Sequence, residues 1–336
     1  MILVDALYIN NGGGKILLEY LIKTLQSQKI EVHYLLDDRL PLEDNEIPAG
    51  SFTQMRASIS ERIKFYKKNV SAYKNVLCFG NVPPPIKLPI PVYTYFHQYL
   101  FVNVPKNYDW KTRLKYKIKY LVIKRFSKNS NFWIVQSSSF KQSFINRYQT
   151  VKEDNVLVIP FYPPIEPSDL DIKREAQSFI YVSDGSHHKN HHNLLEAFKI
   201  YYDNNKTGEL YLTVAENFAD IWLLIKKYQA EGYPIINVGF VDRNELFALY
   251  KKCKYSIYPS FAESFGLGVL EAIENGCMII GADLPYMHAI CKPSVLFDPS
   301  SVESMSAAIE STLKKEPAPS EIIATNNINQ LIKILN

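Results

Sequence analysis

Cysteine is scarce in this chain: Cys78, Cys253, Cys277 and Cys291 are the four in 336 residues. No two of them are spaced Cys-x-x-Cys, which excludes a zinc ribbon or a dithiol redox pair. We expect buried thiols in a reducing compartment, with no disulfides and no thiolate metal ligands. A run of 18 apolar residues is also missing, so hydropathy gives no transmembrane helix. The first residues, Met1-Ile2-Leu3-Val4-Asp5, lack a basic segment followed by a long apolar one. No secretory leader is therefore expected, and the expected location is cytoplasmic. Internal repeats and low-complexity segments are absent, which argues against a solenoid. Length suggests two domains, each able to bury its own core.

The net charge is only +4, but it is unevenly placed. Residues 111–128 hold Lys111, Arg113, Lys115, Lys117, Lys119, Lys124, Arg125 and Lys128 and no acid. Trp110, Leu114, Tyr116, Ile118, Tyr120, Leu121 and Phe126 are interleaved with them. Such a helix suits an anionic membrane surface, and a peripheral place on the inner face of the cytoplasmic membrane is expected from residues 110–128. A surface helix with solvated lysines is the plainer alternative. Nucleic acid is not expected as a partner, since no recognised RNA- or DNA-binding motif accompanies the basic segment.

Hydrophobic periodicity divides the rest into alternating strands and helices. In the first half, strands are predicted at 2–9, 31–36, 76–79, 92–96 and 132–135. Helices are predicted at 15–26, 56–73 and 110–127. Pro83-Pro84-Pro85 must lie in an extended loop, because proline cannot continue a helix or a central strand. The segment 160–167 carries Pro160, Pro163, Pro164 and Pro167 and reads as a stiff linker. Strands at 179–182, 210–214, 235–238 and 255–258 then alternate with helices at 193–202, 219–228 and 243–252. Alternation of this kind implies parallel sheets. The expected domains are residues 1–160 and 168–316, followed by a last helix at 321–335 that would return to the first domain.

Ligands of open parallel sheets bind outside the carboxyl ends of the strands. The segments that follow predicted strands therefore hold the candidate site. The most informative is Pro259-Ser260-Phe261-Ala262-Glu263-Ser264-Phe265-Gly266-Leu267-Gly268-Val269-Leu270-Glu271-Ala272. It joins a strand to a helix through glycines. A helix N-terminus there would favour a phosphate, and Glu263 and Glu271 would accept hydrogen bonds from sugar hydroxyls. Eight residues separate two helical positions by about 80°, so both acids can face one ligand only if Glu263 lies in the turn. The second segment, Ser183-Asp184-Gly185-Ser186-His187-His188-Lys189, ends in a lysine able to place an ammonium on a diphosphate. His187, His188, His191 and His192 show i, i+4 spacing, but no cysteine or carboxylate pair completes a metal set, so no metal is expected among them. Gly12-Gly13-Gly14 follows the first strand and lets a backbone approach a ligand closely. His97 ends a strand, where an imidazole can hold a hydroxyl or help stabilise charge.

The motif Pro-Ser-x-x-Glu-Ser-Phe-Gly-Leu-x-x-Leu-Glu-Ala, with Asn275-Gly276-Cys277-Met278-Ile279-Ile280 after it, resembles the donor site of glycosyltransferase family 4. The resemblance implies an α/β GT-B fold: two Rossmann-like parallel-sheet domains facing across a cleft. It implies a retaining, metal-independent transferase that moves a sugar from a nucleoside-diphosphate sugar to a hydroxyl of a glycan or lipid-linked glycan. Assembly of a bacterial envelope polysaccharide is the expected setting. By resemblance, Glu263 contacts the donor sugar and Glu271 the ribose hydroxyls. Ser264, Phe265, Gly266 and Leu267 form the phosphate-facing turn. Lys189 stabilises the leaving diphosphate, His97 faces the donor sugar, and Gly13 and Gly14 approach the donor phosphates. Val241, in Gly239-Phe240-Val241-Asp242, holds the nucleobase by backbone groups, and Asp242 caps the helix that follows. No cofactor and no divalent metal are expected. The sequence departs from the family pattern twice. Gly268 stands where many members have proline, which is expected to relax the turn. Asp184 stands where an arginine completes the phosphate clamp, which keeps a non-catalytic glycan- or nucleotide-binding protein as an alternative. A further alternative is another GT-B reaction such as nucleotide-sugar epimerisation.

Overall fold

The computed structural model describes residues 1–41, 47–48, 50–105, 108–164 and 172–336. The end of the proposed linker (165–167) and the start of the proposed second domain (168–171) lie outside them. The chain forms two compact units, residues 1–104, 108–164 and 325–336 in one and residues 105–107 and 165–324 in the other.

In the first unit, β1 (Ile2–Ala6), α1 (Gly12–Ser27), β2 (Val32–Asp37), β3 (Phe52–Met55), α2 (Ile59–Asn69), β4 (Asn75–Cys78), β5 (Val92–Tyr95), α3 (Trp110–Phe126), β6 (Phe132–Val135), α4 (Ser138–Arg147) and β7 (Val156–Val158) follow in order. The seven strands pair in the order β3-β2-β1-β4-β5-β6-β7, all of them parallel. All of β1 and β4 is buried, as expected of strands covered on both faces. One side of the core is aromatic, with Phe96, Trp133, Phe140, Phe144 and Tyr148 in one cluster.

The second unit repeats the plan with β8 (Glu175–Tyr181), α5 (His191–Asn205), β9 (Glu209–Leu212), α6 (Ala219–Ala230), β10 (Ile235–Asn237), α7 (Arg243–Lys252), β11 (Cys253–Tyr258), α8 (Leu267–Glu274), β12 (Met278–Ala282), α9 (Pro285–Ile290), β13 (Cys291–Lys292), β14 (Val295–Phe297), α10 (Val302–Lys314) and β15 (Glu321–Ile322). Its six-stranded sheet runs β10-β9-β8-β11-β12-β14, again parallel. A two-residue antiparallel ladder joins β13 to β15. In both sheets the strand order reverses beside the first strand of the unit, between β1 and β4 and between β8 and β11. In open parallel sheets, the loops that leave the strands on either side of such a reversal diverge to opposite faces, which is where ligands bind.

Several boundaries differ from the sequence reading. The first strand ends at Ala6, not Ile9, because Tyr8 turns the backbone to φ 79°. The first helix begins at Gly12, so the glycine triplet forms its first turn. The second helix starts at Ile59 and not at Arg56. The expected helix 321–335 is only α11 (Ile328–Leu335), preceded by β15. Its Ile328, Leu331, Ile332 and Leu335 make one apolar stripe and are buried in the first unit. The carbonyl of Leu335 accepts a hydrogen bond from Asn75 Nδ2 at 2.6 Å. The strands β3, β7, β12, β13, β14 and β15 and the helices α4, α9 and α10 were not predicted from the sequence.

Candidate donor site

In the second unit, the segments that leave β8 and β11 meet at the reversal of strand order. Glu263 lies in the loop after β11 and outside the helix, which starts at Leu267. The Nζ of Lys189 is 2.7 Å from Glu263 Oε1. Both side chains are largely covered, at 18% and 12% exposure, so the pair is only weakly screened by solvent. Ser260 Oγ donates a second hydrogen bond to the same carboxylate oxygen at 2.7 Å. Behind them, the buried Tyr181 hydroxyl stands 2.7 Å from Ser260 Oγ and donates to the Lys189 carbonyl at 3.0 Å. Tyr286 donates to the Ser260 carbonyl at 2.9 Å. Burial works against the charge of Lys189, but Glu263 beside it more than offsets this and holds the ammonium well above the ordinary lysine range.

Lys189 is placed by an unusual backbone. Asn190 adopts a left-handed φ of 61°, and its side chain donates to the carbonyls of Pro259 and Pro299 at 3.1 and 2.9 Å. Phe261 N–H donates to the His188 carbonyl at 2.8 Å. The lysine loop and the Glu263 loop are thus tied together through main chain.

The four histidines of this loop do not act together. His191 is buried on α5, its ring 5.0 Å from that of Tyr181 and its Nε2 3.2 Å from Ser183 Oγ. Burial pushes His191 down to about 3; burial, with Lys189 beside it, pushes His188 to about 4. Both are neutral near pH 7. Among the described residues no group of three or more histidine, cysteine, aspartate or glutamate side chains could hold a metal ion. The sequence does contain an Asp-x-Asp triplet, Asp169-Leu170-Asp171, outside the described residues. Asp184 is exposed. Neighbouring atoms nonetheless partly desolvate its carboxyl and raise the pKa, but hydrogen bonds from Ser186 and the charge of Lys189 outweigh this and hold it ionised.

Of the turn expected to face phosphate, Phe265 is buried and Gly266 has φ +74°. A Cβ on Gly266 would stand 2.7 Å from Ile290 Cδ1, so the turn needs glycine on two counts. Gly268 does something other than relax that turn. It lies inside α8, where an added Cβ would stand 2.8 Å from the Tyr258 hydroxyl. The glycine makes room for the Tyr258–Tyr250 hydroxyl pair, whose oxygens are 3.2 Å apart.

Glu271 lies one turn into α8 and is 3.2 Å from Arg243. Burial raises its pKa and Arg243 opposes the rise. Arg243 opens α7 directly after the Gly239–Asp242 loop, and Asp242 caps that helix by accepting from the N–H groups of Asn244 and Glu245 at 2.8 and 2.9 Å. Val241 is half-buried on this loop. Arg243 was missed in the sequence because it reads as an ordinary basic residue at a helix start. Tyr181 was missed because it reads as an ordinary core residue of the strand predicted at 179–182.

The first unit carries the other candidates at its own reversal point. His97 follows β5 and is half-buried. Its N–H donates to Asn81 Oδ1 at 2.7 Å, and its Nε2 lies 3.2 Å from both Asn81 Nδ2 and the Phe79 carbonyl. Burial pushes the imidazole down to about 4, so it is neutral near pH 7. Gly14 sits against it: an added Cβ would be 3.0 Å from His97 Cε1. Gly13, one residue before, is exposed.

Residues 164–328 match the family model for glycosyl transferases group 1. An O-antigen chain mannosyltransferase B of Escherichia coli is 26% identical over 73% of this chain and 67% of its own length. The crystal structure of WaaG, a glycosyltransferase involved in lipopolysaccharide biosynthesis, superposes with a TM-score of 0.69 at 15% identity over 94% of this chain and 91% of that one. Anabaena HepE, solved with UDP and glucose, gives 0.66 at 15% identity over 94% and 90%. Paired parallel sheets and these structural neighbours define a GT-B protein. The match lies almost wholly in the second unit, and the chain is a glycosyltransferase.

Proposed function

We propose that the protein transfers a sugar, with retention of configuration and without a divalent metal, from a nucleoside diphosphate to a hydroxyl of a glycan or lipid-linked glycan during assembly of a bacterial surface polysaccharide. The observation that carries this reading is the Lys189–Glu263 pair held at 2.7 Å where the order of the second sheet reverses. An ammonium and a carboxylate fixed side by side suit a ligand that has a phosphate next to a sugar. The mannosyltransferase relative supports mannose as the sugar.

In the proposed reaction the bond between the anomeric carbon and the β-phosphate oxygen breaks, and the acceptor oxygen attacks from the same face. The acceptor proton passes to the departing β-phosphate. Lys189 and the N–H groups that open α8 offset the charge growing on that phosphate. Glu263 orients the sugar hydroxyls, Glu271 takes the ribose hydroxyls, and backbone at Val241 meets the base. His97, neutral at pH 7, offers a hydrogen bond to the sugar. With Asp184 in place of a clamping arginine, Lys189 carries more of this load. That same aspartate favours one second reading, a nucleotide-sugar-binding protein without turnover. Release of nucleoside diphosphate from GDP-mannose or a UDP-sugar in the presence of purified lipid-linked acceptor separates the two. Turnover lost in Lys189→Ala supports transfer; binding without turnover supports the second reading.

The anionic membrane contact belongs to the same proposal. Among the described residues no helix is long and apolar enough to cross a membrane. On α3, Trp110, Leu114, Ile118 and Leu121 are 70, 48, 54 and 52% exposed and share one stripe, flanked by Lys111, Lys115 and Lys119. An aromatic-ended apolar stripe beside a row of lysines suits the headgroup layer of an anionic bilayer.

A further inference from the structure

A buried ion pair in the first unit has no place in the reaction just described. Asp5, on β1, and Arg62, on α2, are 1% and 2% exposed. Arg62 Nε donates to Asp5 Oδ2 at 2.6 Å, and the Tyr66 hydroxyl donates to the same oxygen at 2.5 Å. A buried ion pair is seldom more stabilising than apolar residues of the same volume. Its use must be sought in what else the guanidinium holds.

Arg62 Nη1 donates to the Pro83 carbonyl and Nη2 to the Val82 carbonyl, each at 2.8 Å. These carbonyls belong to the segment Asn81-Val82-Pro83-Pro84-Pro85. Its prolines have no N–H, so the segment cannot tie itself down with its own backbone donors. The planar fork of arginine supplies the missing donors in a fixed geometry, and lysine cannot. Val82 is covalently next to Asn81, which sits at φ +66°. Asn81 is buried and holds His97 through both its amide oxygen and its amide nitrogen.

We propose that Arg62 is a positioning residue for sugar transfer: braced by Asp5, it fixes the Val82 and Pro83 carbonyls so that Asn81 presents the imidazole of His97 in one orientation. The proposal rests on the reading that His97 serves the transfer reaction. Asp5, Arg62, Asn81 and His97 all lie in the first unit, within two sheet neighbours of the strand-order reversal. The chain of contacts is continuous: carboxylate, guanidinium, two carbonyls, one peptide link, an amide and the ring. The groups facing His97 are neutral: Asn81, the Phe79 carbonyl, the rings of Phe79 and Tyr95, and Gly14. The orientation of the ring is therefore set by hydrogen bonds and packing.

The test follows the His97 ring by NMR through a pH titration of the whole protein, in wild type, Arg62→Lys, Arg62→Met and Asn81→Gly. Glycine at 81 keeps the left-handed backbone and removes only the amide, so it remains informative if Arg62→Met does not fold. In parallel, release of GDP from GDP-mannose is measured with lipid-linked acceptor. We expect the His97 midpoint to rise by at least one pH unit in Asn81→Gly and in Arg62→Met, with Arg62→Lys between them and wild type. Turnover should fall about tenfold or more while the KM for GDP-mannose stays within about threefold, the mark of lost orientation rather than lost binding. An unchanged His97 titration in folded Asn81→Gly and Arg62→Lys overturns the proposal whatever the activity. A shifted titration with unchanged turnover also overturns it, and His97→Ala then shows where the failure lies. If His97→Ala is as active as wild type, the reading of His97 itself fails. If it is inactive, only the positioning role does. If wild type releases no GDP, the choice of donor fails, and the titration still decides the placement of the ring.

Discussion

Lys189 and Glu263 share one short ion pair, so each is the natural counter-charge of the other until a ligand arrives. Replacing Lys189 by alanine should lower turnover about 10²- to 10³-fold, the range for removal of one transition-state donor. Glu271→Ala should act earlier in the reaction. It removes the proposed acceptor for the ribose hydroxyls and breaks the pair with Arg243, so nucleotide affinity should drop about tenfold, or ~1.4 kcal/mol, by calorimetry. An unchanged Kd would count against that role. The buried imidazoles give a second prediction. His97, His188 and His191 titrate near 4, 4 and 3 in the fold, against about 6.5 when unfolded. Their folded values are depressed, so the unfolded chain binds more protons below pH 6.5. Stability should be full above about 6.5 and fall steadily as the pH drops towards 4. Thermal melts across that window check the sign; a stability that rises on acidification would contradict it. Motifs drew attention to Glu263, Glu271 and Lys189, and the structure pairs Lys189 with Glu263 and Glu271 with Arg243. The sequence was silent at Asn81 and Arg62, because a loop asparagine and a helical arginine look the same in sequence whether or not they hold another side chain.

The turn that opens α8 uses two glycines for different reasons. Gly266 supplies a left-handed backbone, and Gly268 leaves space for the Tyr258 hydroxyl. Gly268→Ala should cost about 1–3 kcal/mol by overpacking. Removing the hydroxyl with Tyr258→Phe should recover part of that loss in a double-mutant cycle of denaturant unfolding. Additive effects would mean that the clash is relieved elsewhere. At α3 the exposed stripe makes a different prediction. Lys111→Glu, Lys115→Glu and Lys119→Glu together should abolish co-sedimentation with vesicles rich in phosphatidylglycerol, since each lysine near an anionic surface is worth about 1 kcal/mol. Equal sedimentation of variant and wild type would leave α3 as an ordinary solvated helix. Helix α3 was legible from its composition; its cap, Asp109, which accepts from Lys111 and Thr112 N–H, emerges only in the structure. The strands β7 and β14 are three residues each, too short for periodicity to reveal. The false helix at 321–327 came from extending the apolar rhythm of α11 backwards through residues that pair as β15 and then run irregularly.

Across the whole molecule, two sheets that share a reversal of strand order beside their first strand present that point to different groups: a clamped neutral histidine in one unit, an ion pair in the other. Parallel alternation made this organisation readable in the sequence, because a strand–helix–strand rhythm admits few other folds. The donor nucleotide was not readable, since in the proposed site the base would be met by backbone groups that any sequence can supply. The most direct test is therefore a metal-free thermal-shift series with UDP, GDP, ADP, CMP and their sugar conjugates, on wild type and Glu271→Ala. A donor site predicts that one nucleoside diphosphate stabilises wild type selectively, by about 2.7 kcal/mol at a hundredfold excess over Kd, and stabilises Glu271→Ala much less. A well-folded wild-type protein that no nucleotide stabilises would contradict it.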